Sequence, residues 1–576
     1  MSGPSVFTRF RRPPDQEERA AEAGTEAGAG AEGGASRRFR RGLSWALTVT
    51  ACLLVWFALV APNELAQLTP TAFLRIPLEG LVLVALVLVL PRVAARVLAV
   101  LVGLVLGLLT VVKVLDVAFF ETLGRTFNPA TDWNYVAPAV DFASDQLGRS
   151  TAIAAVVGLM VLGVALLVVL PLSLLRLIRL VERHRTLSWR AVTALGVVWA
   201  LCALVGAQLV PGTPIASTSA AGLASDHVTE VRSTLRDRAV FADELAVDRF
   251  AETPAHRLLT GLRGKDVLVV FVESYGRVAV EGSDLSAGVN QVLDAGTRRL
   301  RAAGYSSRSA FLTSPTFGAG SWLAHATLQA GVWVDNELRY ADLFATERLT
   351  LSDAFQRAGW RTVGTVPAND RDWPEGAEFY DFDAFYDSRN VGYVGPGFGY
   401  ASMPDQYTLS AFQRLELAGR DRPPVMAEID LVSSHNPWTP VPRMVAWDQV
   451  GDGSVFDGMP AEGQSPDEVW PDPERVQEVY GQSVEYSLRT LISFLRTYQS
   501  RDLVVVMLGD HQPATIVSGS EADRDVPITV IAHDSAVMGR IASWGWQEGM
   551  RPAPHAPVWP MDAFRDRFLT AYGPRG

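Results

Sequence analysis

Five apolar runs, near 43–62, 72–90, 97–120, 151–173 and 189–210, are each long enough to cross a bilayer as a helix. The pattern changes from about residue 264, where short β-branched runs alternate with segments of helical period. DVLVVFV (266–272), VMAEIDL (425–431) and DLVVVMLG (502–509) have strand length and no polar alternation, as parallel strands buried on both faces do. Helical stretches such as 350–358 and 476–498 lie between them, so the C-terminal part reads as an open α/β sheet covered by helices. The chain carries no internal repeat, no nucleotide-binding glycine loop and no coiled-coil heptads.

The expected organisation is therefore a disordered tail over 1–40, an all-α membrane domain of five helices over 41–210, a linker over 211–260 and an α/β domain over 261–576. The tail is rich in Pro, Glu, Ala and Gly and has too few apolar residues to offset its ordering entropy. It ends in Arg37, Arg38, Arg40 and Arg41, just before the first apolar run. The linker contains a surface-helix pattern, HVTEVRSTLRDRAVFADELAV.

Charge placement orients the helices. The basic loops are the tail, the turn with Arg92 and Arg96, and the stretch with Arg176, Arg179, Arg183, Arg185 and Arg190. The loops near 63–71 and 121–150 carry Glu64, Glu121, Asp132, Asp141 and Asp145 and few cations. All basic loops share one side if the N-terminus is cytoplasmic, and five crossings then put the C-terminal domain outside a plasma membrane. A re-entrant run would reverse that placement. A net charge of −11, with no basic stripe, excludes a nucleic-acid partner. The two cysteines, Cys52 and Cys202, both lie in apolar runs, which removes a disulfide framework and a thiolate metal site from the soluble part.

Open α/β sheets place ligands beyond the carboxyl ends of their strands. The first strand run ends in Glu273 (VESYG), the second in Ser433, Ser434 and His435 (SSHNPW), and the third in Asp510 and His511 (LGDHQP). Two carboxylates and an imidazole suit one divalent ion, Mn²⁺, Zn²⁺ or Mg²⁺. In SPTFGAGSWLAHATLQAG a glycine turn precedes Ser321 and then a helical period, which puts the Ser321 hydroxyl near a helix N-terminus. Such a serine is also a common N-cap, and the two roles are compatible. His325, one turn on, reads as a supporting or packing residue.

The order VESYG, GAGSW, SSHNPW, LGDHQP resembles the sulfatase-like branch of the alkaline phosphatase superfamily. More narrowly it is similar to the lipoteichoic acid synthase and phosphoglycerol transferase group, which joins five membrane helices to an extracellular domain. The resemblance implies an alkaline phosphatase/sulfatase-like fold. It implies that Glu273, Asp510 and His511 bind one metal with the nucleophile's hydroxyl as a further ligand, and that His435 contacts the substrate phosphate or leaving group. The family's nucleophile is usually threonine; Ser321 stands there, Gly331 follows at the expected distance, and Thr316 is the reserve candidate. Arg371, in NDRDW, falls near the family's phosphate-contacting arginine, its bland reading being an exposed loop residue.

The expected activity is transfer of a phospho-headgroup such as glycerol phosphate. A membrane phospholipid is the donor, a cell-envelope glycan or glycerol-phosphate chain the acceptor, and a phospho-serine the intermediate. Hydrolysis of such esters and a non-catalytic membrane-tethered binding module are the alternatives. Formylglycine sulfatase chemistry is excluded by the absence of cysteine outside the apolar runs. Phosphoethanolamine transferases share the architecture, but their usual disulfides have no counterpart. A Ser–His–Asp hydrolase would need a G-x-S-x-G elbow, and Ser321 sits in GAGSW. Arg75 with Glu79 and Lys113 with Asp116 are ionisable residues at the outer ends of apolar runs, read as local ion pairs or as a headgroup site.

Overall fold

The structure is a computed structural model that describes residues 40–283, 285–419 and 421–574. The expected disordered tail lies, but for Arg40, outside the described residues. The chain divides into two compact units: one holds the chain up to Pro62, Ala66–Val112 and Met160–Ala224, the other Asn63–Leu65, Lys113–Leu159 and Ser225–Gly576. These boundaries differ from the expected 41–210 and 261–576. Residues 113–159 belong with the C-terminal residues, and a 28-residue helix, Ser219–Ala246, occupies the expected linker.

In the described residues of the first unit and its continuations, four helices are long and apolar enough to cross a membrane: Arg40–Val60, Arg92–Leu123, Arg149–Arg183 and Arg185–Val205. The second apolar run differs from expectation. Its helix, Leu78–Val89, has only 12 residues and rises about 18 Å, against a hydrocarbon core of about 30 Å. Prolines bracket it. Pro77 is the residue before the helix, and Leu90, extended because Pro91 follows, ends it. Residues before it form a 3₁₀ turn, Pro70–Leu74, and a two-residue ladder of Ile76–Pro77 with Ala216–Ser217. Small residues let helices approach closely: a Cβ on Gly103 would lie 2.5 Å from the Pro171 Cα, and one on Gly107 3.2 Å from the Leu166 carbonyl. Arg75 donates to the Val60 and Ala72 carbonyls, while Glu79 accepts from the Ala221 amide, so each of that pair has its own backbone partner.

The second unit is built on a nine-stranded sheet. Its strands are β1 (Asp266–Val272), β2 (Ser306–Thr313), β3 (Arg361–Val366), β4 (Ala384–Asp387), β5 (Val425–Leu431), β6 (Leu503–Gly509), β7 (Asp525–Ala532), β8 (Gln547–Glu548) and β9 (Val558–Pro560). The spatial order is β8-β2-β7-β6-β1-β5-β3-β4, with β9 also paired to β2. Strands β6, β1, β5, β3 and β4 run parallel, and β7 and β2 add an antiparallel half. Every residue of β1, β6 and β7 is buried. The cause is a core on each face. Leu268, Val270 and Val272 pack with helices Ser286–Ala302 and Pro473–Thr497, while Val267, Val269 and Phe271 pack with Ser321–Ala330, Leu351–Arg357 and Ala563–Tyr572. The three parallel strands read from the sequence are β1, β5 and β6, adjacent at the centre of the sheet, so their carboxyl ends converge.

Candidate active site

The convergence is tight because of glycine. A Cβ on Gly509, the last residue of β6, would lie 1.9 Å from the Tyr275 carbonyl, so only glycine lets the β6 end meet the turn after β1. In that turn Ser274 adopts φ +55° and its amide donates to Asp510 Oδ1 at 2.7 Å. The His511 amide donates to the same oxygen at 2.7 Å. Asp510 Oδ2 is buried and has no hydrogen-bond partner.

Around that oxygen stand the other expected ligands. Donor atoms of Glu273, Asp510 and His511 lie within 4.8 Å of one another, and all three residues are buried. His511 Nδ1 donates to the Gln512 carbonyl at 2.8 Å, an oxygen that can only accept, so in the neutral ring the lone pair is on Nε2. That nitrogen faces Glu273 Oε1 at 3.4 Å and Asp510 Oδ2 at 3.6 Å. Burial, with Glu273 adding to it, pushes the Asp510 carboxyl up to about 6. Two carboxylates, an imidazole lone pair and an orphaned buried oxygen pointing at one place fit a divalent cation.

Ser321 completes the set. It is the first residue of helix Ser321–Ala330, whose N-cap is Gly320 at φ +89°. Its hydroxyl caps nothing. It donates to Glu273 Oε2 at 3.1 Å and lies 3.3 Å from His511 Nε2. Gly331 ends the helix at φ +61°, where a Cβ would strike Arg565 Nε at 2.5 Å. Arg565 is fully buried and held by Asp248 at 2.9 and 3.0 Å, so this glycine serves both the backbone turn and the packing. Thr316, the reserve candidate, is buried in the preceding turn, its hydroxyl 3.5 Å from that of Ser314.

His435 lies in the turn after β5, which Ser434 ties to the Glu273 carbonyl at 2.6 Å. Its ring is half-buried, stacks on Tyr400 at 3.7 Å and donates through Nδ1 to the Asn436 carbonyl at 2.6 Å. Burial lowers its pKa to about 4, so near neutral pH the ring is uncharged with a free lone pair on Nε2. Arg371 is largely exposed and pairs with Asp370 at 3.3 Å.

A second group of ligand-type residues escaped the sequence reading. His325, Glu428 and Asp430 also bring donor atoms within 4.8 Å of one another. The signal was present: VMAEIDL places two acids two residues apart, on one face of a strand whose other residues are apolar. His325 Nδ1 lies 2.8 Å from Glu428 Oε1 and 3.7 Å from Asp430 Oδ1, its ring stacks on Phe271 at 3.7 Å, and Gln329 hydrogen-bonds the other Glu428 oxygen.

No protein-family model and no curated protein matches the chain. Solved structures do. The chain is similar to the lipoteichoic acid synthase LtaP from Listeria monocytogenes, with 14% identity, 59% of this chain and 78% of that chain covered, and a TM-score of 0.38. A protein in the alkaline phosphatase superfamily from Vibrio parahaemolyticus gives 13% identity, 58% and 74% coverage, and 0.34. The phosphoglycerol transferase GacH from Streptococcus pyogenes, in complex with sn-glycerol-1-phosphate, gives 13%, 58% and 91%, and 0.33.

Proposed function

We propose that this chain is a metal-dependent phosphotransferase that takes a phospho-headgroup from a membrane lipid onto Ser321 and passes it to an extracytoplasmic acceptor. The observation that carries the reading is the Ser321 hydroxyl, at a helix N-terminus and within 3.3 Å of both a carboxylate and an imidazole of a cation-fitting cluster.

Glu273, Asp510 and His511 would hold the ion, with Mn²⁺ the expected species. When bound, a divalent cation there supplies Lewis acidity, favouring the alkoxide form of a nearby hydroxyl and drawing charge from phosphoryl oxygens. The chain's own residues do the rest. Ser321 Oγ attacks phosphorus and loses its proton, forming a phospho-serine ester as the bond to the diacylglycerol oxygen breaks; one proton is gained by that oxygen, so that the serine's proton is balanced by the released diacylglycerol hydroxyl. The positive end of the helix that begins at Ser321 favours the anionic group. His435, neutral with Nε2 free, accepts the proton of the incoming acceptor hydroxyl as it attacks the phospho-serine; the Ser321 Oγ–phosphorus bond breaks, and the proton returns to Oγ to restore the hydroxyl. Arg371 is assigned to a non-bridging phosphate oxygen, a contact that requires it to leave Asp370.

A lipid donor follows from the membrane helices and from the compartment. Placing the catalytic unit outside a plasma membrane requires an odd number of crossings, so the 12-residue helix Leu78–Val89 must cross together with the turn before it. Reporter fusions after residue 220 test this and should be active only outside the cytoplasm. The activity test uses the full chain in bilayers of headgroup-labelled phosphatidylglycerol with Mn²⁺. Diacylglycerol should be released and label should pass to an added glycan or glycerol-phosphate acceptor. Label reaching water alone, whatever acceptor is supplied, would identify a hydrolase.

A further inference from the structure

The loop that presents Ser321 is intrinsically loose. FGAG (317–320) contains two glycines in the left-handed region, Gly318 at φ +73° and Gly320 at φ +89°. A nucleophile must nevertheless be held to a fraction of an ångström. On one side the loop is pinned by the metal-ligand strand end, through the Gly318 amide and the Gln512 carbonyl at 2.9 Å. On the other side it is pinned by residues 121–135, a segment distant in sequence that belongs to the same compact unit.

The contacts of that segment fall on positions 317, 318 and 320 of the loop and on Trp322 just beyond it. The Thr122 carbonyl is so close to Gly318 that a Cβ there would lie 1.7 Å from it. The Phe317 ring lies against Gly124, 3.1 Å from where a Cβ would stand. The Tyr135 hydroxyl lies 3.3 Å from the Cβ position of Gly320, and its ring centroid 5.7 Å from that of Trp322. The segment also grips the ligand side, since the Thr515 hydroxyl donates to the Glu121 carbonyl at 2.7 Å.

The segment is itself rigidly built. Arg125 makes a two-pronged pair with buried Asp132 at 2.5 and 2.8 Å and lies over the Tyr135 ring at 5.9 Å. Buried Asp116 accepts from the Phe127 amide at 3.0 Å, from Asn63 at 2.7 Å and contacts His227 at 3.1 Å. Asp132, expected to be a loop charge, and Asp116, expected to pair with Lys113 or serve a headgroup site, thus form the internal frame of this piece.

We propose that residues 121–135 are a bracket that fixes the Ser321 loop, with Tyr135 a positioning residue for the nucleophile. The proposal rests on the reading of Ser321 as nucleophile given above. It makes the segment between two apolar helices part of the catalytic apparatus, so a C-terminal fragment lacking it would keep the ligand set but not the serine's placement.

The test uses the full chain in lipid nanodiscs with Mn²⁺ and bis(p-nitrophenyl) phosphate as probe. Tyr135→Ala should lower kcat about tenfold or more, with KM and Mn²⁺ affinity within about threefold, and Tyr135→Phe should restore most of kcat by keeping the ring. Independently of turnover, hydrogen–deuterium exchange should speed up at amides 317–322 in Tyr135→Ala and in Thr515→Val, with β1 and β6 unaffected. Unchanged exchange there in both variants, or unchanged kcat despite faster exchange, would overturn the bracket. Wild-type protein with no phosphodiester turnover would instead defeat the proposed function, and the exchange comparison would still decide the bracket.

Discussion

Two clusters in the second unit are made of the same residue types, and in both the donor atoms lie within 4.8 Å of one another. Glu273, Asp510 and His511 stand at strand ends beside Ser321; His325, Glu428 and Asp430 lie one helical turn further along. They differ in how their negative charge is met. In the second, burial alone would strip the proton from His325, but Asp430 and Glu428 outweigh it and push its pKa up to about 9. Burial also pushes Asp430 up to about 7. That cluster carries its own cation at neutral pH. Each cluster holds one buried carboxylate oxygen without a hydrogen-bond partner, Asp510 Oδ2 in the first and Asp430 Oδ1 in the second. In the first, however, the nearest imidazole nitrogen stands 3.4 Å from Glu273 and 3.6 Å from Asp510, and the other ring nitrogen is turned to a backbone carbonyl, whereas His325 closes to 2.8 Å on Glu428. Ligand types and proximity do not by themselves make a metal site; the second cluster is closed by its own imidazole–carboxylate contact, and the first stands open beside the Ser321 hydroxyl.

The comparison breaks most sharply at the serine. Ser321→Ala should reduce phosphodiester turnover by on the order of a thousandfold or more while leaving Mn²⁺ affinity within several-fold, measured by steady-state kinetics beside calorimetric titration. Wild-type rates in that variant would return the nucleophile to Thr316 or to water.

His325→Ala removes the internal cation of the second cluster and leaves two buried acids facing each other. Unfolding in urea should show a loss of about 3–5 kcal/mol, the same with and without Mn²⁺. A loss that Mn²⁺ repairs in the wild type but not in the variant would mean that this cluster, too, binds metal.

A smaller effect with opposite signs is expected at Asp510. Its folded pKa, about 6, lies above the unfolded value near 3.9, so the ionised form costs stability. In chelator-treated protein that cost is absent below about pH 4 and complete above about pH 6. At neutral pH, Asp510→Asn should therefore melt no lower than wild type without metal, and lower than wild type once Mn²⁺ is saturating. The smallest effect is an alkaline one. The stability contributed by His325 is complete below its unfolded value near 6.5 and is lost as pH rises through about 9. Wild-type Tm should fall over that range, and the slope should flatten in His325→Ala.

Much of this architecture was legible in the chain. The runs at 266–272, 425–431 and 502–509 are the adjacent central strands, because a strand covered on both faces has to be apolar throughout. The antiparallel strands β2 and β7 were not read. β2 mixes serine and arginine with apolar residues, and Pro527 interrupts the pattern of β7. The second apolar run reads as one continuous helix because hydropathy does not register how Pro77 and Pro91 limit the helix to 12 residues. Ser321 was placeable from its glycines, whereas the second cluster needed the strand register that sets Asp430 beside Phe271. The bracket was invisible, since it joins residues nearly two hundred positions apart in sequence and no local pattern encodes a contact at that separation.

The central claim is that Ser321 carries the phospho-group. Full-length protein in bilayers of headgroup-labelled phosphatidylglycerol with Mn²⁺, quenched in acid during turnover and digested, tests it by mass spectrometry of the peptide containing GAGSW. The account predicts a labelled phosphoester on Ser321 that disappears when acceptor is added and is absent from Ser321→Ala. Turnover with the peptide unlabelled at every quench time, or label on Thr316 instead, would contradict it.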